Sequence, residues 1–230
     1  MTLTKLAITL IIFCSANWCS SGSGQQVHPT PPTVAPGATL KVEYTDERFF
    51  EGPSWDRSIN KLYFTAFDKA NEQVLRLEST GNVFVWMDHT QGLNGTYFSR
   101  DGRLLGAQAF GHNLLSIKTG PDGPSEVKSL ASNFEGVPFL QPNDVAESPT
   151  TGGIYFSDPN FKGKTRTAVY YLAPNGTVRR IIENLKLPNG LEVSNDGTTL
   201  YVSDSFEKRI YSYPIGADGG VDQNQVKIFF

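Results

Sequence analysis

Four stretches of this chain repeat one pattern at nearly constant spacing, and that limits the folds open to it. Glu51-Gly52-Pro53-Ser54-Trp55-Asp56 leads into Leu62-Tyr63, and Leu93-Asn94-Gly95 leads through Asp101-Gly102-Arg103 into Leu104-Leu105. Pro142-Asn143-Asp144-Val145 leads into Ile154-Tyr155, and Pro188-Asn189-Gly190-Leu191 leads into Leu200-Tyr201. A polar residue opens each stretch, and the openers Glu51, Asn94, Asn143 and Asn189 stand 43, 49 and 46 residues apart. From opener to the second residue of the closing apolar pair is 12, 11, 12 and 12 residues. A period of this length marks a repeat architecture, and the all-β unit of that size is the four-stranded blade of a β-propeller. Side chains at one repeat-equivalent position of a propeller converge on its axis. Here they are one carboxylate and three amides.

Between the openers the pattern is strand and turn. Leu62–Phe67, Gln73–Leu77 and Val83–Met87 form the first set, and Leu104–Ala107, Leu114–Lys118 and Glu126–Leu130 the second. Ile154–Ser157, Ala168–Leu172 and Val178–Ile182 form the third; Leu200–Ser203, Arg209–Tyr213 and Val226–Phe230 form the fourth. Thr80-Gly81-Asn82, Pro174-Asn175-Gly176 and Ala217-Asp218-Gly219-Gly220 between such runs are hairpin signals. No window carries a 3.6-residue apolar period, so the expectation is all-β with very little helix. A short strand over Leu40–Tyr44 is expected to open the globular part, residues 39–230.

Residues 1–22 read differently. A weakly basic start, an apolar run over Leu6–Phe13 and small residues at Ser15, Ala16, Ser20, Ser21 and Gly22 describe a secretory signal peptide, too short for a membrane span. A secreted or periplasmic location is the expectation. Both cysteines, Cys14 and Cys19, fall in this leader, so the mature chain carries no disulfide. Residues 23–38 are rich in Ser, Gly, Gln, Pro and Thr and read as a flexible tether. A formal net charge of -3 with 19% charged residues points away from a nucleic-acid or membrane-surface partner. A six-bladed ring at about 45 residues per blade needs about 270 residues. Four repeats over Glu51–Phe230 are therefore either a four-bladed ring or about four blades of a larger one, and the partial ring is the expectation.

Hard divalent cations take oxygen ligands, and Ca²⁺ accepts six to eight from carboxylates, amide or backbone carbonyls and water. Glu51, Asn143 and Asn189 offer one charged and two neutral oxygens, a modest set that leaves positions for water or substrate. With no His or Cys among the openers a dedicated zinc site is not indicated. A cation with open positions polarises a carbonyl and acidifies bound water, which suits lactone or ester hydrolysis. The competing reading is that Asn before Gly is a turn residue. Equivalent register in four repeats favours the axial site.

These motifs, with Tyr155-Phe156-Ser157-Asp158-Pro159 added, resemble the senescence-marker-protein-30/gluconolactonase/LRE-like family over roughly Glu47–Phe230. The resemblance implies a six-bladed propeller with a divalent cation on its axis, Ca²⁺ first and Zn²⁺, Mn²⁺ or Mg²⁺ as alternatives, and hydrolysis of a small-molecule lactone or related ester. Position by position it implies Glu51 and Asn189 as metal ligands, Asn143 as a substrate contact or further ligand, and Asn94 as a pocket residue. Gln141 stands where the family varies its substrate-contacting residue. The family's remaining ligand and proposed general base is an Asp in a Pro-Asp-Gly motif one blade further on. No such motif follows Asn189, so no catalytic residue is assigned within the chain, and the expected Asp lies beyond Phe230.

Other chemistry is less well supported. His28, His89 and His112 are the only histidines, and no Gly-x-Ser-x-Gly elbow accompanies them. Asp158 and Asp204 are expected to bond neighbouring backbone amides, and Asp144 to serve a turn. Asn94-Gly95-Thr96 and Asn175-Gly176-Thr177 fit the glycosylation sequon. The alternatives to a hydrolase are a non-catalytic, cation-stabilised propeller that binds a ligand or partner, and a strictosidine-synthase-like propeller.

Overall fold

The computed structural model describes residues 37–67, 71–163 and 165–230. The expected leader, most of the tether, both cysteines and His28 lie outside the described residues.

Four antiparallel four-stranded sheets follow one another along the chain. The first holds β1 (Phe49–Asp56), β2 (Lys61–Phe67), β3 (Glu72–Ser79) and β4 (Asn82–Met87). The second holds β5 (Leu93–Phe98), β6 (Arg103–Gln108), β7 (Asn113–Gly120) and β8 (Gly123–Ala131). A small hairpin, β9 (Asn133–Phe134) and β10 (Val137–Pro138), leads to the third, with β11 (Val145–Glu147), β12 (Ile154–Asp158), β13 (Ala168–Leu172) and β14 (Val178–Ile182). The fourth holds β15 (Pro188–Val193), β16 (Thr199–Asp204), β17 (Arg209–Pro214) and β18 (Lys227–Ile228). Each sheet is a meander, and neighbouring sheets meet along their first strands β1, β5, β11 and β15. These are the blades of a propeller, with the first strands innermost. The only helical element among the described residues is a 3-10 turn, Gln223–Gln225.

Side-chain layers between blades hold the stack together. Tyr63, Val74 and Trp86 of the first blade pack on Leu93, Leu104, Leu115 and Ile117 of the second. Leu105, Ala107 and Leu114 of the second meet Val145, Phe156 and Tyr170 of the third. Tyr155, Tyr171 and Ile182 of the third meet Leu191, Leu200, Val202 and Tyr213 of the fourth. A second strand with a blade on each side buries both faces, so β2 and β12 read as apolar runs (Leu-Tyr-Phe, Ile-Tyr-Phe) and do not alternate.

Two expected strands are corrected. Residues 40–44 form no strand, because their main chain makes a single contact to the sheet (Gly81 N–H donates to the Glu43 carbonyl at 2.6 Å) while Tyr44 packs on Phe50 and Phe64. The strand expected over Val226–Phe230 shrinks to Lys227–Ile228, both exposed, since Val226 caps the 3-10 turn and the N–H groups of Phe229 and Phe230 both donate to the one Ile210 carbonyl, which breaks the ladder register. No helix among the described residues is long and apolar enough to cross a membrane.

Candidate functional site

The openers stand where the innermost strands begin, and three of the four first strands are irregular there. The ladder shifts between Glu51 and Ser54, between Leu93 and Thr96, and between Pro188 and Leu191. A β-bulge leaves a residue out of the ladder and re-aims its side chain. At the first two of these bulges the blades approach so closely that only glycine fits. A Cβ on Gly52 would lie 2.1 Å from the Asn94 carbonyl oxygen, and one on Gly95 would lie 2.2 Å from Asp144 Oδ1. Gly52 also sits at φ +51, which disfavours other residues.

Hydrogen bonds tie the openers from blade to blade. The Thr65 hydroxyl donates to the Asn94 carbonyl at 2.9 Å, and the Gly95 N–H to the Asn143 carbonyl at 2.6 Å. The Ser157 hydroxyl donates to the Asn189 carbonyl at 2.6 Å and accepts the Asp144 N–H at 3.0 Å. Thr65 and Ser157 are wholly buried. The opener main chains are thereby satisfied, so their side chains are spared that task.

Glu51 and Asn189 line one cavity of about 790 Å³, together with Ser54, Asp144, Glu192 and the backbone of Gly52 and Gly190. Asn94 and Asn143 do not themselves line the cavity: they stand one residue from Gly95 and Asp144, which pack on each other, and of these Asp144 lines it. The Oδ1 atoms of Asn94 and Asn143 are buried with no hydrogen-bond partner. Gln141 is partly exposed and off the cavity wall, its N–H donating to Asp158 Oδ1 at 2.7 Å. Among the described residues no three His, Cys, Asp or Glu side chains form a metal-ready group, so any cation here depends on amide oxygens.

Arg57 and Arg100 line the same cavity, yet no positive charge acts on its desolvated carboxylates Glu51, Asp144 and Glu192. Burial pushes the Glu51 carboxyl above the usual range, with no donor opposing it. Burial pushes Asp144 up to about 7, although the Leu191 and Val145 amides hold its carboxylate, and the charges of Glu192 and Glu51 push the same way. Burial raises Glu192 as well, against one bond from the Val193 N–H at 2.8 Å. Buried amide oxygens without partners beside desolvated carboxylates are costly unless a cation or water completes them. All the donors are hard oxygens. The residues fit a divalent cation of the Ca²⁺ or Mg²⁺ type.

Several participants were not legible in the sequence. Glu192 is hidden within a strand and shows no motif. The hydroxyls of Thr65 and Ser157 act between blades, so no local pattern reports them. Asp144, expected at a turn, instead bridges two blades through the Leu191 N–H at 2.8 Å. Asp158 and Asp204 do bond backbone amides: Asp158 takes Leu140 and Gln141, and Asp204 takes Lys186, Leu187, Phe206 and Glu207.

Comparison with known proteins agrees with this architecture. The chain is 26% identical over 206 residues to a gluconolactonase of Zymomonas mobilis subsp. mobilis, covering 78% of this chain and 56% of the relative. It is 27% identical over 196 residues to lactonase drp35 of Staphylococcus saprophyticus, covering 82% and 57%. The structure of a gluconolactonase from Xanthomonas campestris superposes with a TM-score of 0.67 at 26% identity, covering 79% of this chain and 62% of that one. The chain thus spans a little over half the length of these two curated relatives. The model of the SMP-30/Gluconolactonase/LRE-like region matches residues 49–229, and the chain belongs to that family.

Proposed function

We propose that this chain supplies the opener ring of a secreted, divalent-cation-dependent hydrolase that opens a sugar lactone or related ester. The observation that carries the reading is the pair of buried, unpartnered amide oxygens, Asn94 Oδ1 and Asn143 Oδ1, close to the cavity that Glu51 and Asn189 line. Glu51, Asn143 and Asn189 would hold the cation, and Asn94 and Gln141 would contact the substrate. When bound, the cation supplies Lewis-acid polarisation of a carbonyl and a more acidic water. The rest falls to the protein. The blade-to-blade bonds through Gly95, Thr65 and Ser157 fix the main chain behind the amide oxygens, which keeps the site preorganised. The likeness to a gluconolactonase and a lactonase supports a cyclic ester as the substrate class. Hydrolysis adds the hydroxyl of water to the ring carbonyl carbon and its proton to the departing ring oxygen, giving a hydroxy acid.

Acid release from D-glucono-δ-lactone, followed in a pH-stat, tests the reading. The protein should turn the lactone over faster with Ca²⁺, Mn²⁺ or Zn²⁺ than with chelator, and Glu51→Gln should remove the metal-dependent part. Equal rates with and without metal, or an unaffected Glu51→Gln variant, remove the idea.

A further inference from the structure

The innermost strands carry a second layer of side chains beneath the openers. Three residues after Glu51, Asn94, Asn143 and Asn189 stand Ser54, Tyr97, Ala146 and Glu192. At about 3.3 Å per residue this layer lies within about 10 Å of the openers. Two of the four are already committed. Ser54 Oγ pairs with Thr96 Oγ1 at 3.0 Å, and Ala146 is buried in the core between the third and fourth blades. Tyr97 and Glu192 remain, and both line the cavity.

Both reach the cavity with hydrogen-bonding capacity to spare. The Tyr97 ring packs against the apolar layers on either side of the third blade, which fixes the direction of its hydroxyl. Among the described residues that hydroxyl has no hydrogen-bond partner. Glu192 accepts one bond, from the Val193 N–H to Oε1 at 2.8 Å, and among the described residues its Oε2 accepts none. The two side chains are near each other: after burial, the Glu192 charge is the strongest influence raising the Tyr97 phenol. The same charge reaches Asp144 on the neighbouring strand. A donor and an acceptor that share a cavity without bonding each other leave a place for a group that is both. A hydroxyl accepts from the phenol and donates to the carboxylate. A ring methylene does neither, and it leaves a desolvated carboxylate unpaired.

We propose that Tyr97 and Glu192 together hold one ring hydroxyl of the lactone and so select polyhydroxylated lactones over unsubstituted ones. This rests on the lactone-hydrolysing reading above and narrows its substrate class. The pair sets specificity and takes no part in bond making, so its loss falls on the hydroxylated substrate, chiefly through KM. A hydrogen bond to a charged group is worth about tenfold or more in binding, and one between neutral groups about fivefold.

The test compares D-glucono-δ-lactone with δ-valerolactone, which has the same ring ester and no hydroxyls. Hydroxyls also alter the intrinsic reactivity of the ester, so the readout is the change in the ratio of the two kcat/KM values between proteins. Glu192→Ala should lower the glucono-to-valero ratio by about tenfold or more, and Tyr97→Phe, which keeps the ring packing, by about fivefold. Equal losses on both lactones would give the pair a structural or chemical role and overturn the proposal. A ratio that does not move, the result if water alone occupies the slot, overturns it as well. If the wild type hydrolyses neither lactone, the lactone-hydrolysing reading fails. Calorimetric binding of D-glucono-δ-lactam and δ-valerolactam then decides the pair, which requires tighter binding of the hydroxylated lactam, weakened about tenfold or more by Glu192→Ala. Absent binding, equal affinity for the two lactams, or an affinity unchanged in Glu192→Ala overturns the proposal.

Discussion

Gly95 and Asp144 are in direct contact across the boundary between the second and third blades: a Cβ on Gly95 would lie 2.2 Å from Asp144 Oδ1 and 2.6 Å from its Cα. The same Gly95 donates its N–H to the Asn143 carbonyl at 2.6 Å. Spacing of the inner blades is therefore set by a missing side chain. Gly95→Ala should cost at least about 2 kcal/mol through forced separation of the two strands. Urea denaturation checks this, and a loss below about 0.5 kcal/mol would show that the contact relaxes freely.

Ser157 and Ser203 occupy matching positions in the third and fourth blades and differ in how much depends on them. The Ser157 hydroxyl is buried, donates to Asn189 O at 2.6 Å and accepts Asp144 N–H at 3.0 Å. The Ser203 hydroxyl makes one longer bond, 3.2 Å, to the Gly190 carbonyl, and the residue is partly exposed. Ser157→Ala strands two buried groups and should cost about 2 kcal/mol, whereas Ser203→Ala should cost under about 1 kcal/mol. Equal losses in denaturant titrations would contradict the inter-blade role given to Ser157.

Asp158 makes stability depend on pH in a defined window. The side chain is buried, and desolvation pushes its carboxyl from the ordinary 3.8 up to about 6 even though backbone amides oppose that shift. The folded state therefore binds the proton more tightly than the unfolded chain does. Its contribution is fully present below about pH 4 and falls as pH rises toward about 6, by about 3 kcal/mol in all. The stability of wild type minus that of Asp158→Asn, measured in urea at pH 4, 5, 6 and 7, should decline over the first three points and then level off. A difference that stays constant, or grows with pH, would mean the amide bonds outweigh burial.

How much of this was legible from the residues depends on where the forces act. Ala168–Leu172 and Val178–Ile182 fall where the sequence puts them, since a run buried on both faces and a Pro174-Asn175-Gly176 turn are local signals. Leu40–Tyr44 alternates like a strand yet makes no ladder, because alternation reports a half-buried face and says nothing of a hydrogen-bonding neighbour. The repeat period brought Glu51 and Asn189 to one cavity, while Gln141 stands off its wall. The Thr65 and Ser157 hydroxyls matter only through contacts with the adjacent blade, and Glu192 through the charge it sets near Asp144. No window of sequence holds both partners.

Glu51 should show the trade between stability and binding that marks a functional carboxylate. Its burial without a donor disfavours the charged form, so in chelator near neutral pH Glu51→Gln should melt at the same temperature as wild type or higher. With millimolar Ca²⁺ only the wild type should gain thermal stability. A Glu51→Gln variant that melts well below wild type in chelator would make Glu51 a structural residue.

Isothermal titration of Ca²⁺ into the chelator-stripped protein near neutral pH is the most direct measurement. The opener ring predicts one site per chain, weakened by about tenfold or more in Glu51→Gln and again in Asn143→Ala. Absence of any binding heat together with no calcium-dependent change in melting temperature, or the same affinity in wild type and Glu51→Gln, would contradict a cation held among Glu51, Asn143 and Asn189.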